Sequence, residues 1–259
     1  MLKKKLAVLG WSEGLSRLRF AYESIKYYPA NRGFLKQHAF PALPLYNVFE
    51  TYGANLTQYF HDGEATAADI AQKIKSHLAG KQVDVVCEWG MGMGRLIRNF
   101  SWHFPNARII GYDYNAAYVE CCQQNYPDIA FYQNQLLPPL PAAGLGNIDV
   151  LVAISIFTHL GDEAIRAWLQ EFAQRMSPGG VFLFTAHGRG FYHRLPANEK
   201  QIFDAGQLVE WRQGKEGKRT FGSFHPKAYL LDAVPNAFEV VAHQAGDTNE
   251  QDVWILRRR

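Results

Sequence analysis

The chain has 259 residues, of which 47% are hydrophobic and 20% charged, as is typical of a globular protein that can bury a sizeable core. Its net charge of +3 is too small to indicate nucleic acid as a partner, and no apolar run is long enough to span a membrane. Three cysteines without a CxxC spacing argue against a disulfide framework and against a zinc site. We therefore expect a cytoplasmic protein with reduced thiols and no metal.

Residues 1–60 have no clear strand pattern. They are rich in aromatic residues and interrupted by prolines such as Pro29, which predicts helices and loops that dock on the main domain and hide their rings. Lysine and arginine outnumber acidic residues here. The excess could meet an anionic partner, although a solvated surface is the commoner explanation.

The next segment contains a helix and the most informative turn of the chain. Residues 65–79 carry Ile70, Ile74 and Leu78 at helical spacing, and Gly80 is suited to end that helix. A buried strand, VDVVC, follows, and then come an acid and a turn, EWGMGMG. We expect a second helix to begin near Arg95.

The turn's three glycines suit a ligand-binding loop, because a glycine allows positive φ and a close approach of backbone to ligand. The spacing GxGxG lacks the third glycine of the dinucleotide pattern GxGxxG, since Arg95 occupies that position.

Strands and helices then alternate, which predicts a parallel sheet covered on both faces. The predicted strands are ARIIGYDYN, IAFYQ, IDVLVAISIF and VFLFTAH, and the predicted helices are 116–125 and, capped by Asp162, 162–175. Gly188–Phe224 is polar and is predicted to be irregular. Pro226 opens a further helix, and two closely joined strands, FEVVAHQ and DVWILRR, must be antiparallel.

Six segments in this order resemble the motifs of class I S-adenosylmethionine-dependent methyltransferases. They are EWGMGMG, GYDYN, NQLLPPLP, ISIFTHL, RMSPGGVFLFTAHG and QDVWILRR. The resemblance implies an α/β, doubly wound, Rossmann-like sheet of seven strands, mostly parallel with an antiparallel C-terminal strand. That domain would span residues 61–259 with an insertion at 188–225, and residues 1–60 would form an N-terminal helical or irregular cap.

The resemblance also implies S-adenosylmethionine as cofactor and assigns residues to it. Glu88 would lie near the ligand's ammonium group and the turn's backbone N–H groups near its carboxylate. Asp113 follows Gly90 by about the spacing expected of an acid that binds ribose hydroxyls. The predicted cofactor-binding residues are Glu88, Gly90, Gly92, Gly94, Asp113, Tyr114, Asn134, Gln135, Ser155 and Phe157.

A neutral acceptor needs a base near its proton, and histidine has a suitable pKa. His159 is the first candidate, followed by His187 and then His225, and each has an alternative role as a hydrogen-bonded structural histidine. ISIFTHL replaces the Asp/Asn-Pro-Pro-aromatic tetrad, which argues against the amino-methyltransferases of adenine or glutamine.

The acceptor remains open between a small molecule and a glycan. A block, KEGKRTFGSFHPKAYL, resembles uncharacterised bacterial methyltransferase-domain proteins, some associated with glycan or secondary metabolism. We expect residues 1–60 and the insertion to roof the acceptor pocket, with Arg189, Tyr192, His193, Trp211 and Arg212 as its polar and aromatic residues. Two alternatives are an NAD(P)-dependent oxidoreductase and a non-catalytic S-adenosylmethionine-binding protein.

Overall fold

The computed structural model describes residues 11–38, 43–141, 147–212, 214–218, 220–248 and 250–259. The predictions that concern the basic N-terminal segment before residue 11 and Pro41 lie outside the described residues.

A seven-stranded sheet forms the centre of the molecule, and its strand order is β3-β2-β1-β4-β5-β9-β8. β9 is antiparallel to both of its neighbours, whereas the pairs from β3 to β5 are parallel. A separate two-stranded antiparallel sheet is formed by β6 and β7. The strands are β1 Val85–Trp89, β2 Arg108–Asp113, β3 Ala130–Gln133, β4 Ile148–Ala153, β5 Met176–Ala186, β6 Val209–Arg212, β7 Phe221–Phe224, β8 Phe238–Thr248 and β9 Gln251–Arg258. The predicted fold class is confirmed.

Helices cover both faces of the large sheet, so its central strands are buried throughout. The helices are α1 Trp11–Gln37, α2 Leu45–Thr51, α3 Leu56–Lys75, α4 Phe100–His103, α5 Ala116–Asn125, α6 Asp162–Arg175, α7 Ala197–Asp204 and α8 Lys227–Ala233. On one face Trp168 and Phe172 of α6 pack beside Trp89 of β1. On the other, Ile70 and Ile74 of α3 belong to the core.

The N-terminal cap consists of α1, α2 and the beginning of α3. Asn31, which is buried in α1, donates to the carbonyl oxygen of Ala54 at 2.8 Å and accepts from the backbone N–H of Leu56 at 2.9 Å. These bonds hold α1 against the start of α3. The break expected at Pro29 is wrong, because α1 continues through it to this anchor and the buried ring of Phe34.

Three other local predictions are corrected. The helix expected at residue 65 begins at Leu56, because Asn55 caps it by accepting from the backbone N–H of Gln58. The proposed boundary after residue 60 therefore lies within a helix. After the glycine turn, the helix expected near Arg95 is replaced by turns, a 3-10 turn at Ile97–Asn99 and the single turn of α4. Asp162 does not cap α6; Gly161 occupies that position.

The insertion is more regular than predicted. Residues 188–225 contain a 3-10 turn at Arg189–Arg194, then α7 and the β6–β7 hairpin. A small core of its own, which includes Phe191, Phe203 and Phe224, explains this order. The segment was predicted to be polar and irregular, but its aromatic residues form the core that stabilises it.

None of the helices in the described part of the chain is both long enough and apolar enough to cross a membrane.

Asp149 connects three strands beneath the sheet. Its carboxylate accepts from the backbone N–H groups of Asp84 at 2.9 Å and Val85 at 3.1 Å, from the hydroxyl of Ser177, and pairs with Lys81 at 3.1 Å. Burial by itself would raise the pKa of Asp149, but these hydrogen bonds lower it below its ordinary value.

We expect Asp149→Asn to lower the free energy of unfolding by about 2–3 kcal/mol near neutral pH, because two backbone N–H groups and Lys81 lose their charged partner. A carboxyl whose pKa is lower in the folded state stabilises the fold at pH values above its unfolded pKa. The difference in stability between wild type and Asp149→Asn should therefore shrink as the pH falls through about 4 and below. Urea unfolding across pH measures this. Exposed Asp84→Asn is the control, expected to change stability by about 0.5 kcal/mol or less. Equal losses in the two variants would contradict the role of Asp149.

Candidate cofactor and acceptor site

A cavity of about 770 Å³ opens at the carboxyl ends of β1, β2 and β4. Ligands of open α/β sheets bind in this position. The cap contributes Ser16, Arg17, Tyr46, Glu50 and Thr51 to its wall, and the insertion contributes Lys215, Gly217, Lys218 and Thr220. Nine of the residues predicted from the sequence also lie on the wall: Glu88, Gly90, Gly92, Asp113, Tyr114, Asn134, Gln135, Ser155 and His159.

The glycine turn forms one side of the cavity. Gly90, Gly92 and Gly94 all have positive φ, between 57° and 81°. A side chain at Gly90 would also collide with Ile156, and one at Gly94 would approach the ring of Tyr126 to 2.8 Å. The glycines are therefore required both by backbone conformation and by close packing.

Glu88 lies under this turn with only 3% of its surface exposed. Its Oε2 has no hydrogen-bond partner among the described residues. Burial raises the pKa of Glu88 to about 8, although the charge of Arg95 partly opposes the shift. A buried carboxyl with an unsatisfied oxygen on a cavity wall is suited to accept a hydrogen bond from a cationic ligand.

Asp113 has a structural role beside the predicted ligand contact, because it caps the turn before Asn115 and also holds the glycine turn. Its Oδ2 accepts from the backbone N–H of Gly92 at 2.9 Å, and its Oδ1 accepts from that of Asn115 at 2.8 Å. Burial raises the pKa of Asp113, and these backbone hydrogen bonds partly oppose the increase. A carboxylate oxygen can accept two hydrogen bonds, so the carboxylate of Asp113 retains capacity for a ligand's hydroxyl group.

Asn134 extends the wall beyond Asp113 and is buried. Its Nδ2 donates to the carbonyl oxygen of Gln135 at 2.6 Å, while its Oδ1 has no partner among the described residues. That acceptor suits a ligand's amino group. Tyr114 is also on the wall, and the ammonium group of Lys218 lies 5.1 Å from the centre of its ring. The insertion thus reaches over the end of β2.

Ser155 follows β4 with φ of 62°, which is uncommon for a residue that has a Cβ. The conformation is held from two sides. Its N–H donates to the hydroxyl oxygen of Thr185 at 2.8 Å, and its own hydroxyl accepts from Nε2 of Gln251 at 2.9 Å. Thr185 and Gln251 were missed by the motif comparison because they act only through Ser155.

His159 lies on the wall, in the 3-10 turn Phe157–His159. Its Nδ1 is 3.0 Å from the carbonyl oxygen of Phe221 in β7. A carbonyl oxygen only accepts, so in the neutral ring Nδ1 carries the proton and Nε2 carries the lone pair. The insertion therefore sets the tautomer that a general base requires.

The other two candidate bases are not on the cavity wall. His187 lies 4.1 Å from the ring of Phe191, centre to centre, and its Nδ1 is 3.1 Å from the carbonyl oxygen of Ser223. Burial lowers the pKa of both His187 and His225 to about 3, so both rings are neutral near pH 7. Phe157 and Gly94 are also away from the wall; the ring of Phe157 is fully buried in the core.

The sequence predicted that the cap and the insertion cover the acceptor side, and both do reach the cavity. The polar residues are different ones. Arg189, Tyr192, His193, Trp211 and Arg212 are not on the wall, whereas Arg17, Lys215 and Lys218 are. Only the basic composition of both segments hinted at them. Within the described ranges, no group of three or more potential metal ligands comes together.

Comparison with known proteins agrees with this fold. Residues 86–180 match the family model described as "Methyltransferase domain". A trans-aconitate 2-methyltransferase of Azoarcus sp. (strain BH72) is 28% identical over 47% of this chain and 45% of its own length. This chain therefore covers less than half of that relative. An uncharacterized methyltransferase of Oceanobacillus iheyensis is 24% identical over 71% of this chain and 81% of its own length.

Solved structures with the same fold include Streptomyces venezuelae DesVI, with a TM-score of 0.59 and 14% identity over 85% of this chain and all of that one. A SAM-bound amino pentose methyltransferase from Micromonospora echinaspora has a TM-score of 0.58 and 16% identity, over 79% of this chain and 97% of that one. The SAH-bound magnesium protoporphyrin IX methyltransferase of Synechocystis PCC 6803 has a TM-score of 0.55 and 14% identity, over 93% of this chain and 98% of that one.

The methyltransferase family model thus matches residues 86–180, and the solved structures share the fold of this chain. The resemblance to methyltransferases that the motifs predicted agrees with this family match. The antiparallel β9 between β5 and β8 also distinguishes this sheet from the parallel order 3-2-1-4-5-6 of dinucleotide-binding dehydrogenases.

The raised pKa of Glu88 predicts proton release when a ligand's ammonium group binds beside it. Near pH 7 the buried carboxyl is mostly protonated, so binding of S-adenosylhomocysteine should release close to one proton, and near pH 9 the release should vanish. Calorimetry in buffers of different ionisation enthalpy measures this. Glu88→Gln should bind more weakly and release no proton. Equal release by wild type and variant would exclude Glu88 as the group that ionises.

Proposed function

We propose that the protein binds S-adenosylmethionine in this cavity and transfers its methyl group to an oxygen or nitrogen atom of a small molecule that carries an anionic group. One observation carries the proposal. A single cavity brings together the unsatisfied buried oxygens of Glu88 and Asn134 and, on the same wall, the ring of His159.

The residues present fit the donor. Glu88 would accept from its ammonium group, Asp113 from its ribose hydroxyls and Asn134 from its adenine amino group. The bound donor supplies an activated methyl group on a sulfonium. The chain's own contribution is to hold the reactants in line and to exclude water, for which the cap and the insertion provide the roof.

His159 would act on the acceptor. With Nδ1 donating to the carbonyl oxygen of Phe221, Nε2 is the nitrogen that takes the proton from a hydroxyl or amine acceptor. The acceptor would lose its proton to Nε2 as the acceptor–methyl bond forms and the methyl–sulfur bond of the donor breaks, which leaves S-adenosylhomocysteine as the second product.

The charges on the wall indicate the kind of acceptor. Arg17 from α1 and Lys215 from the insertion line the cavity, and neither forms an ion pair with a described carboxylate. A carboxylate or phosphate group on the acceptor would neutralise them. A curated relative is named for methyl transfer to trans-aconitate, and this name supports an anionic acceptor as a starting hypothesis.

The proposal is tested first by binding and then by turnover. Calorimetry with S-adenosylmethionine, S-adenosylhomocysteine and NADH should show binding of the first two only. Labelled methyl transfer is then measured against carboxylates, including trans-aconitate, sugar phosphates, neutral sugars, phenols and amines. Donor binding without transfer to any of them would favour the non-catalytic alternative, and NADH binding alone would favour the oxidoreductase.

His159→Gln should lower kcat by about 10²- to 10⁴-fold with the best acceptor of that panel, because the imidazole that takes the acceptor's proton is removed. The affinity for S-adenosylhomocysteine should not change. Steady-state kinetics measure kcat, and calorimetry measures the affinity for S-adenosylhomocysteine. Exposed His193→Gln is the matched control. An unchanged kcat in His159→Gln would remove His159 from the mechanism.

Arg17→Gln and Lys215→Gln should each raise the KM of an anionic acceptor about tenfold or more, because each removes a charged hydrogen-bond donor. Donor affinity and kcat should change little. Initial-rate measurements separate the two constants, and Lys227→Gln, an exposed lysine outside the cavity, serves as the comparison. If neutral acceptors are affected equally, the anionic group is not what these cations bind.

A further inference from the structure

The cap helix α1 carries an apolar stripe that faces solvent. Leu15, Leu18, Tyr22 and Ile25 are 46%, 69%, 65% and 78% exposed. Their spacing of three, four and three residues places them along one side of the helix, since α-helices have about 3.6 residues per turn. We call these four residues the outer stripe.

The outer stripe is not the side by which α1 packs on the protein. That contact is made by Asn31 and Phe34, which are both buried, and by Phe20, whose ring lies 5.3 Å from that of Phe49. At 100° per residue these positions lie on the opposite side of the helix. The fold therefore leaves a second apolar face of α1 without a partner among the described residues.

Basic residues surround the outer stripe. Residues 14–37 contain five cations and one acid, Glu23, and Arg19 pairs with that acid at 2.6 Å. The remaining cations, Arg17, Lys26, Arg32 and Lys36, are all exposed. The side chain of Glu23 is only 14% exposed, so the exposed charges of residues 14–37 are almost all positive.

We propose that the outer stripe of α1 binds the surface of a bilayer that contains anionic phospholipids. Apolar and tyrosine side chains would enter the interfacial region, and Lys26, Arg32 and Lys36 would contact anionic headgroups. The charge pattern disfavours a second copy of the chain, because pairing along this stripe would bring like charges together. Side chains exposed by 65–78% protrude from the helix instead of lining a groove, which disfavours a peptide ligand.

The full-length protein is tested by co-sedimentation with vesicles of neutral phosphatidylcholine and with vesicles in which about a third of the lipid is anionic phosphatidylglycerol. Wild type should partition onto the anionic vesicles at least tenfold more strongly. Leu18→Gln combined with Ile25→Gln should reduce that partitioning about tenfold or more. Lys26→Gln combined with Arg32→Gln should reduce it about fivefold for each charge removed and should weaken its dependence on salt.

Trp102→Gln is the matched control, because Trp102 is 64% exposed and lies on α4, outside the outer stripe of α1. It should bind vesicles as wild type does. Unchanged affinity for S-adenosylhomocysteine shows that each variant is folded. If the double apolar variant misfolds, the charge variant still tests the proposal, because it leaves the apolar residues intact.

Three results would overturn the proposal. The first is equal or absent binding of wild type to the two kinds of vesicle. The second is a dimer in sedimentation velocity that Leu18→Gln with Ile25→Gln dissociates, which would assign the stripe to a second copy. The third is binding to an acidic polypeptide such as polyglutamate without binding to vesicles.

Discussion

The hydrogen bond from the backbone N–H of Gly92 to the buried carboxylate of Asp113 is the contact on which the site depends. It joins the turn after β1 to the end of β2, and the N–H groups of Gly90 and Met91 add bonds to the carbonyl oxygen of Tyr112. With the turn held in this way, Glu88 is enclosed beneath it, and burial raises its pKa to about 8. Asp113 thus shapes the glycine turn and also presents lone pairs to the cavity.

The second half of the site is assembled by elements far apart in the chain. The β6–β7 hairpin supplies the carbonyl oxygen that sets the tautomer of His159, and Gly217 donates from its N–H to the carbonyl oxygen of the same histidine at 2.9 Å. The hairpin is itself stabilised by the small aromatic core of the insertion. The insertion, which lies outside the seven-stranded sheet, therefore orients the candidate base His159.

The elements of the sheet could be predicted because their signals are local. α5 has the predicted bounds, since Asn115 caps its first turn and Pro127 follows its end. The closely spaced strands at the C-terminus could only be antiparallel. The misplaced elements depend on long-range contacts: α1 passes Pro29 because Asn31 is anchored to the start of α3, and the insertion is ordered by rings that meet only in the folded chain.

The sequence by itself predicted the fold class, the order of its strands along the chain and most of the residues that line the cavity beside the glycine turn. Glycines, strand-end acids and apolar runs act through backbone conformation and burial, which leave a pattern in neighbouring residues. Only the tertiary structure decided which of three histidines faces the cavity, which cations share its wall and which face of α1 is left in solvent. Those properties arise when the cap, sheet edge and insertion come together, and no local spacing in the chain records that arrangement.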